Sequence, residues 1–121
     1  MSAVFDEAKV YVVDMTVRQW QIIDATIDNE VDTEIVDGDP GGVVSLGGSI
    51  RQAGWDQATD ATRAWLPDEE VITITLSGRQ WNLVADALSR WAEVSDGIGN
   101  REESQLMQHV RSVIEGQATP R

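Results

Sequence analysis

The side chains with the most obvious chemical potential are the carboxylates of residues 24–39. They comprise Asp24, Asp28, Glu30, Asp32, Glu34, Asp37 and Asp39. Hard cations such as Ca²⁺ bind several oxygens from one flexible loop, so the part of this run from Asp28 to Asp39 is a candidate cation site. The residues from Asp28 to Asp39 do not fit the EF-hand template, because Thr33 stands where glycine is needed and Asp39 where glutamate is preferred. We therefore expect no metal site and interpret the run as an acidic surface.

An acidic surface of this kind is also a candidate face for binding a partner. Its predicted members are Asp24, Asp28, Asp32, Glu34, Asp37 and Asp39. Asp24 and Asp28 are one helical turn apart, and like charges at that spacing cost only a few tenths of a kcal/mol. A basic protein is one candidate partner. DNA mimicry is the alternative, but DNA carries one charge per ~1.7 Å, so a single helix is too dilute and two subunits would be needed.

Two other patterns associated with catalysis or cofactors are incomplete. The segments 39–42 and 47–49 are rich in glycine, yet the lysine of a phosphate-binding loop is missing. His109 is the only histidine, and the chain has neither a cysteine nor a Gly-x-Ser-x-Gly elbow to accompany it. We therefore predict no catalytic residue, no cofactor and no enzymatic activity. A small nucleotide- or cation-binding module remains an alternative.

Two arginines and two tryptophans complete the candidate site residues. Arg18 and Arg79 occupy the same place in a repeated unit, where a cation slightly opposes the helix dipole. We expect each to pair with a carboxylate such as Asp14 or Glu70; a groove that binds an anion is the alternative. Trp55 and Trp65 lie on a less regular helix and are predicted to be partly exposed anchors of an interface.

The charge balance excludes several classes of partner. The chain of 121 residues has 21 acidic and 9 basic residues, a net charge of −12. Direct binding to nucleic acid or to an anionic membrane is disfavoured, because both depend on lysine and arginine. No apolar stretch approaches the ~20 residues of a membrane span, and the first residues lack the pattern of a secretory signal. We expect one domain in the cytoplasm, or in the host cytoplasm if a phage encodes it.

A repeated unit predicts the elements that position these residues. Arg18-Gln19-Trp20 recurs 61 positions later as Arg79-Gln80-Trp81, with flanks that match in kind. Recurrence of this type indicates a duplicated supersecondary unit. We assign the repeats to 9–66 and 70–116, with an insertion at 32–48.

Each repeat reads as a strand followed by two helices. Alternation of apolar residues predicts strands at 10–15 and 71–76. Thr16 with Gln19, and Ser77 with Gln80, predict capping boxes that start the next helices. Further helices are expected from Ser49 to Trp65 and from Asn100 to Gly116. Short apolar runs at 33–36 and 43–46 flank a turn and are read as a hairpin or an ordered loop.

These elements predict an α+β fold, in which internally duplicated strand–helix–helix units surround a small, mainly antiparallel sheet covered by helices. Two strands alone are marginal in water, so the sheet needs helices, further strands or a partner chain. Symmetric dimers are the commonest oligomers, and we expect a homodimer.

The strand, the Thr/Ser-x-x-Gln box and the pattern Trp-x-x-Val-x-x-Ala-Leu-x-x-Trp at 81–91 resemble small proteins common in actinobacteria and their phages. Most of those have no assigned function. The resemblance implies a small accessory protein, encoded by a phage, that binds and disables a host protein. A non-enzymatic protein-binding function is accordingly our first hypothesis, and an acidic inhibitor of a nucleic-acid-binding protein is the second.

Overall fold

The computed structural model describes residues 4–39 and 42–117. Its elements follow the chain in this order: strand β1 (Val10–Thr16), helix α1 (Val17–Val36), helix α2 (Val43–Ala58), strand β2 (Val71–Ser77), helix α3 (Gly78–Gly97) and helix α4 (Arg101–Glu115). The two strands form one antiparallel sheet. The fold is therefore α+β, as predicted.

Both strands pass directly into a helix through the predicted capping boxes. The Thr16 hydroxyl accepts a hydrogen bond from the Gln19 amide, and the Gln19 side chain accepts one from the Thr16 amide. Ser77 and Gln80 repeat the arrangement at α3. Each box satisfies two backbone donors that would otherwise lack a partner at a helix start, so the sharp strand-to-helix transition follows from the local sequence.

The register of the sheet agrees with the spacing of the sequence repeat. Val13 lies opposite Ile74 at the centre of the ladder. These two residues are 61 positions apart, the separation of Arg18 from Arg79. An approximate two-fold axis through this central pair therefore relates the two strands. The duplication itself stays a prediction.

One face of the sheet is packed against the helices and the other is open. Alternate strand residues are buried: Tyr11, Val13, Met15, Ile72, Ile74 and Leu76. Trp20 and Trp81 are fully buried beneath them. The burial alternates as the sequence predicts, because successive strand residues point to opposite faces.

Both alternatives predicted for the apolar runs at 33–36 and 43–46, a hairpin or an ordered loop, are wrong. Residues 33–36 are the last turn of α1, and 43–46 are the first turn of α2. Asp39 Oδ1 accepts the amides of Val43 and Val44, at 2.7 and 3.2 Å, and so caps α2. Gly38 and Gly42 have positive φ, which glycine tolerates, and this lets the chain reverse between two helices. Pro40 and Gly41 lie outside the described residues.

The predicted bounds of α2 are also wrong. The helix begins at Val43 instead of Ser49, which lies inside it, and it ends at Ala58 instead of Trp65. Gly54 lies inside α2, where glycine disfavours a helix, and it has a packing role. A Cβ at this position would overlap the indole of Trp20, so the missing side chain lets α2 approach α1. Tertiary packing thus outweighs helix propensity here.

Candidate functional site

The eight residues that follow α2, from Thr59 to Leu66, form a closed loop held by one carboxylate. Asp60 Oδ1 accepts hydrogen bonds from the Thr62 amide at 2.8 Å, the Thr62 hydroxyl at 2.6 Å and the Ala64 amide at 3.1 Å. The Asp60 amide donates to the Ala64 carbonyl, and the Leu66 amide donates to the Ala58 carbonyl. These hydrogen bonds, the Thr62 hydroxyl first, hold the pKa of Asp60 below its ordinary value. The loop is therefore internally braced although Asp60 is exposed.

Arg63 adopts an uncommon backbone conformation at the tip of this loop. Its φ is +67°, in the left-handed region that costs a residue with a side chain roughly 1–2 kcal/mol. The Arg63 amide donates to the Asp60 carbonyl at 3.0 Å, which closes the turn. Strain of this kind persists only where the surrounding structure imposes it. The exposed guanidinium is thereby carried on a fixed backbone.

The loop places two tryptophans in contact at the surface. The rings of Trp55 and Trp65 stack with centroids 4.6 Å apart and planes 27° apart. Trp65 is 38% exposed and Trp55 is half-buried. We call Trp55, Arg63 and Trp65 the tryptophan platform. The sequence singled out both indoles as separate anchors on a helix, whereas the structure joins them into one surface by ending that helix at Ala58.

The segment of the chain that carries the platform, residues 56–70, is rich in carboxylates. The five acidic residues of segment 56–70 are all exposed: Asp56, Asp60, Asp68, Glu69 and Glu70. Arg63 is the one basic residue of that segment. An exposed aromatic pair on a segment rich in exposed carboxylates suits a partner that offers an apolar pocket bordered by basic groups.

The predicted acidic surface of residues 24–39 contains carboxylates that hold helices together and carboxylates without an ion-pair partner among the described residues. Arg51 of α2 reaches Asp24 Oδ1 at 3.0 Å and Asp28 Oδ1 at 2.9 Å on α1. The hydrogen bond to Asp24 raises the pKa of Arg51 above its ordinary value, although partial burial opposes the rise. Since Asp39 caps α2, three of the six predicted residues serve the contact between α1 and α2.

The other three, Asp32, Glu34 and Asp37, stand at the end of α1. Within residues 4–39 and 42–117 they form no ion pair. In that same part of the chain, no group of three or more His, Cys, Asp or Glu side chains is arranged to hold a metal ion.

Arg18 and Arg79 are exposed and do not make the predicted pairs. Asp14 accepts a hydrogen bond from the Thr73 hydroxyl at 2.7 Å, and neither arginine pairs with any carboxylate that the structure describes. The expected pairing with Asp14 or Glu70 is therefore wrong. Asp14 is bonded by Thr73, and Arg18 lines the groove between α1 and α4 although the neighbouring Val17 amide bonds the Glu70 carbonyl.

Arg18 lines a groove of about 380 Å³ between α1 and α4. Its other walls include Gln21, Ile22, Leu106 and Met107. The second half differs at the corresponding place. There Asn82, which matches Gln21 in the repeat, bonds the amide and carbonyl of Phe5 at 3.0 and 2.8 Å. The two arginines therefore do not share equivalent surroundings.

One buried charge, Glu30, was not predicted from the sequence. Glu30 is 2% exposed, its Oε1 accepts the indole N–H of Trp91 at 3.1 Å, and its Oε2 is paired with Arg90. The spacing of the repeat could have pointed to this pair. Glu30 and Trp91 are 61 positions apart, so they occupy equivalent places in the two repeats, and both face the contact between α1 and α3. The hydrogen bond to Trp91 and the ion pair with Arg90 therefore link the two halves of the chain.

None of the helices in the described parts of the chain is long and apolar enough to cross a membrane. Comparison of the chain with protein-family models, curated proteins and solved structures finds no match.

Proposed function

We propose that this chain is a non-enzymatic accessory protein that binds another protein through the tryptophan platform. The observation that carries the proposal is the Trp55–Trp65 stack on a braced surface loop. Tryptophan and arginine are enriched among the residues that dominate binding energy at interfaces, and the platform presents both. A host protein as target, with a phage as the source of the chain, belongs to the same proposal and derives from the sequence resemblance.

The braced loop favours this function because it lowers the entropy that binding costs. Ordering a flexible side chain at an interface costs about 0.5–1.5 kcal/mol. Stacking already restricts the two indoles, and the hydrogen bonds to Asp60 already restrict the backbone that bears Trp65. Less ordering therefore remains to be done when the partner arrives.

The charge of the chain supports a basic partner. A net charge of −12 produces a long-range field that attracts basic surfaces and repels nucleic acid. Asp68 and Glu69, three and four residues after Trp65, are exposed and add negative charge to this segment of the chain. Rim charges of this kind raise the rate of association more than the final affinity.

The test compares two matched variants in capture and in affinity. Trp65→Ala removes the exposed indole, and Leu106→Ala removes an equally exposed apolar side chain elsewhere, since both residues are 38% exposed. Tagged wild type and both variants are incubated with actinobacterial lysate at low and moderate salt. A protein retained by wild type is then purified and titrated by calorimetry.

We expect Trp65→Ala to weaken the affinity for the partner about 30-fold, which is the effect of losing a hot spot worth ~2 kcal/mol. We expect Leu106→Ala to leave the affinity unchanged. Equal retention by Trp65→Ala and wild type would refute the platform as the binding surface. Loss of every captured protein as salt rises, with wild type and variants alike, would instead favour DNA mimicry by the acidic surface.

A further inference from the structure

The sheet has two outer edges, and the hydrogen bonds at its ends reveal which backbone groups face them. The Val17 amide donates to the Glu70 carbonyl at 2.9 Å, and the Gly78 amide donates to the Lys9 carbonyl at 2.8 Å. In an antiparallel ladder, bonded and non-bonded pairs alternate. The bonded pairs therefore use odd residues of β1 and even residues of β2. The amides and carbonyls of Val71, Thr73 and Thr75 consequently point to the outer edge of β2.

The β1 edge is partly covered by a side chain from the end of the chain. Gln117 Oε1 accepts the Asp14 amide at 2.9 Å, and Gln117 Nε2 donates to the Asp14 carbonyl at 2.8 Å. One amide thus occupies both groups of a central outward residue of β1. The β2 edge has no equivalent: within the described ranges, no group bonds the outward amides and carbonyls of Val71, Thr73 and Thr75.

Helix α2 packs close to β2, but the outward residues of the β2 edge lack the side-chain features that normally keep edge strands apart. Charged side chains, proline and bulges are the usual devices, and the outward residues Val71, Thr73 and Thr75 supply none of them. All three side chains are exposed on the open face of the sheet, Val71 to 65%. The strand is therefore competent to extend the sheet by pairing with another strand.

We propose that the β2 edge pairs antiparallel with β2 of a second copy of this chain, which produces a four-stranded sheet. The two-fold axis passes through Thr73, so that Thr73 faces Thr73 of the second copy and Val71 faces Thr75. This register uses all three free outward residues of each strand. It places uncharged side chains against one another across the axis.

Charge complementarity selects a second copy as the occupant. Asp68, Glu69 and Glu70 precede β2, and Arg79, which has no partner among the described carboxylates, follows it. Antiparallel pairing sets the start of one β2 beside the end of the other. Each Arg79 then lies next to the acidic run of the second copy, and the contact occurs twice.

The covered β1 edge explains why the assembly would stop at two copies. In the paired sheet both outer strands are β1, and Gln117 blocks the centre of each. The contact between the copies is isologous, since the same surface serves both, and such contacts close. The proposed contact between the copies uses none of the residues of the tryptophan platform.

Sedimentation velocity of the full chain over a wide concentration range tests the proposal. We expect a dimer for wild type and a monomer for Thr73→Pro, whose amide makes no bond to β1, so that circular dichroism and the melting temperature should be retained. Val12→Pro is the matched control, because its amide points to the outer edge of β1. We expect it to leave the dimer intact.

A charge exchange provides a second measurement that does not depend on proline. Arg79→Glu should weaken the dimer at least tenfold, and combining it with Glu69→Arg should restore most of the loss. Trp65→Ala should leave the dimer unchanged, which separates this proposal from the binding function. A wild type that stays monomeric at every concentration, or a dimer indifferent to both Thr73→Pro and Arg79→Glu, would overturn the proposal.

Discussion

Replacement of Gly54 by alanine tests whether close contact between α1 and α2 controls the fold. The added Cβ would fall inside the van der Waals envelope of Cε2, Cζ2 and Nε1 of Trp20, a fully buried indole. Carbon atoms normally approach to about 3.5–4.0 Å, so relief requires a displacement of about 2 Å. A rigid ring in a close-packed interior has no room for that movement, and the helix must shift instead.

Two opposing contributions determine the size of the effect. Alanine favours a helix interior over glycine by about 1 kcal/mol. Overpacking a core costs about 1–3 kcal/mol and occasionally more, and the overlap here involves three atoms of a ring that cannot rotate away. At the upper end of that range the net loss in the free energy of unfolding is about 2 kcal/mol. For a chain of this length that corresponds to a fall of roughly 10 °C in melting temperature.

Gly48→Ala is the matched control in the same helix. A Cβ at Gly48 meets nothing within 4 Å, so only the helix propensity applies. We expect stabilisation by about 1 kcal/mol, opposite in sign to Gly54→Ala. Urea unfolding followed by tryptophan fluorescence and by circular dichroism measures both. If Gly54→Ala proved as stable as Gly48→Ala, the inferred contact between Gly54 and Trp20 would be refuted.

Three further predictions follow from single contacts. Trp81 Nε1 donates to a backbone carbonyl at 3.1 Å, whereas the buried Trp20 Nε1 has no hydrogen-bond partner among the described residues. Trp81→Phe should therefore destabilise the fold more than Trp20→Phe, by about 1–2 kcal/mol. Urea titration of both variants compares them, and equal losses would contradict the assignment. Arg90→Ala strips the buried Glu30 of its counter-charge and should cost about 3 kcal/mol, with Arg90→Lys recovering part of the loss. Because the pKa of Asp60 is lower in the folded protein than in the unfolded chain, its contribution is present above the unfolded value of about 3.9 and is lost as the pH falls through the folded value. Acid titration of the wild type against Asp60→Ala, read by tryptophan fluorescence, should then show a larger loss of stability at low pH in the wild type than in the variant.

Most elements of the fold could be predicted because their signals are local. Capping boxes at Thr16 and Ser77 and alternating burial in both strands depend only on neighbouring residues. The segment 33–46 could not be assigned in this way. Its valines and isoleucine suit a strand as well as a helix end, and the choice depended on the cap from Asp39 and the left-handed conformation of Gly42.

The candidate site could be predicted only in part. Trp55 and Trp65 were recognised as anchors, but their stacking depends on where α2 ends and on the bonds to Asp60, neither of which follows from periodicity. The acidic run was recognised as a cluster, yet its division depended on Arg51, a residue of another helix that only the tertiary structure brings close. Glu30 was missed because a glutamate in a helix is ordinarily solvated, and its burial results from contact between the halves.

The side chain of Gln117 has a consequence for the handling of the protein. It is the last residue that the structure describes, and it alone occupies the centre of the β1 edge. Proteolytic removal of this glutamine, or a bulky fusion that displaces it, would expose the β1 edge, which could then pair with a strand of another copy. A chain with two bare edges can propagate end to end into filaments, so on the proposed geometry the Gln117 side chain limits assembly to two copies.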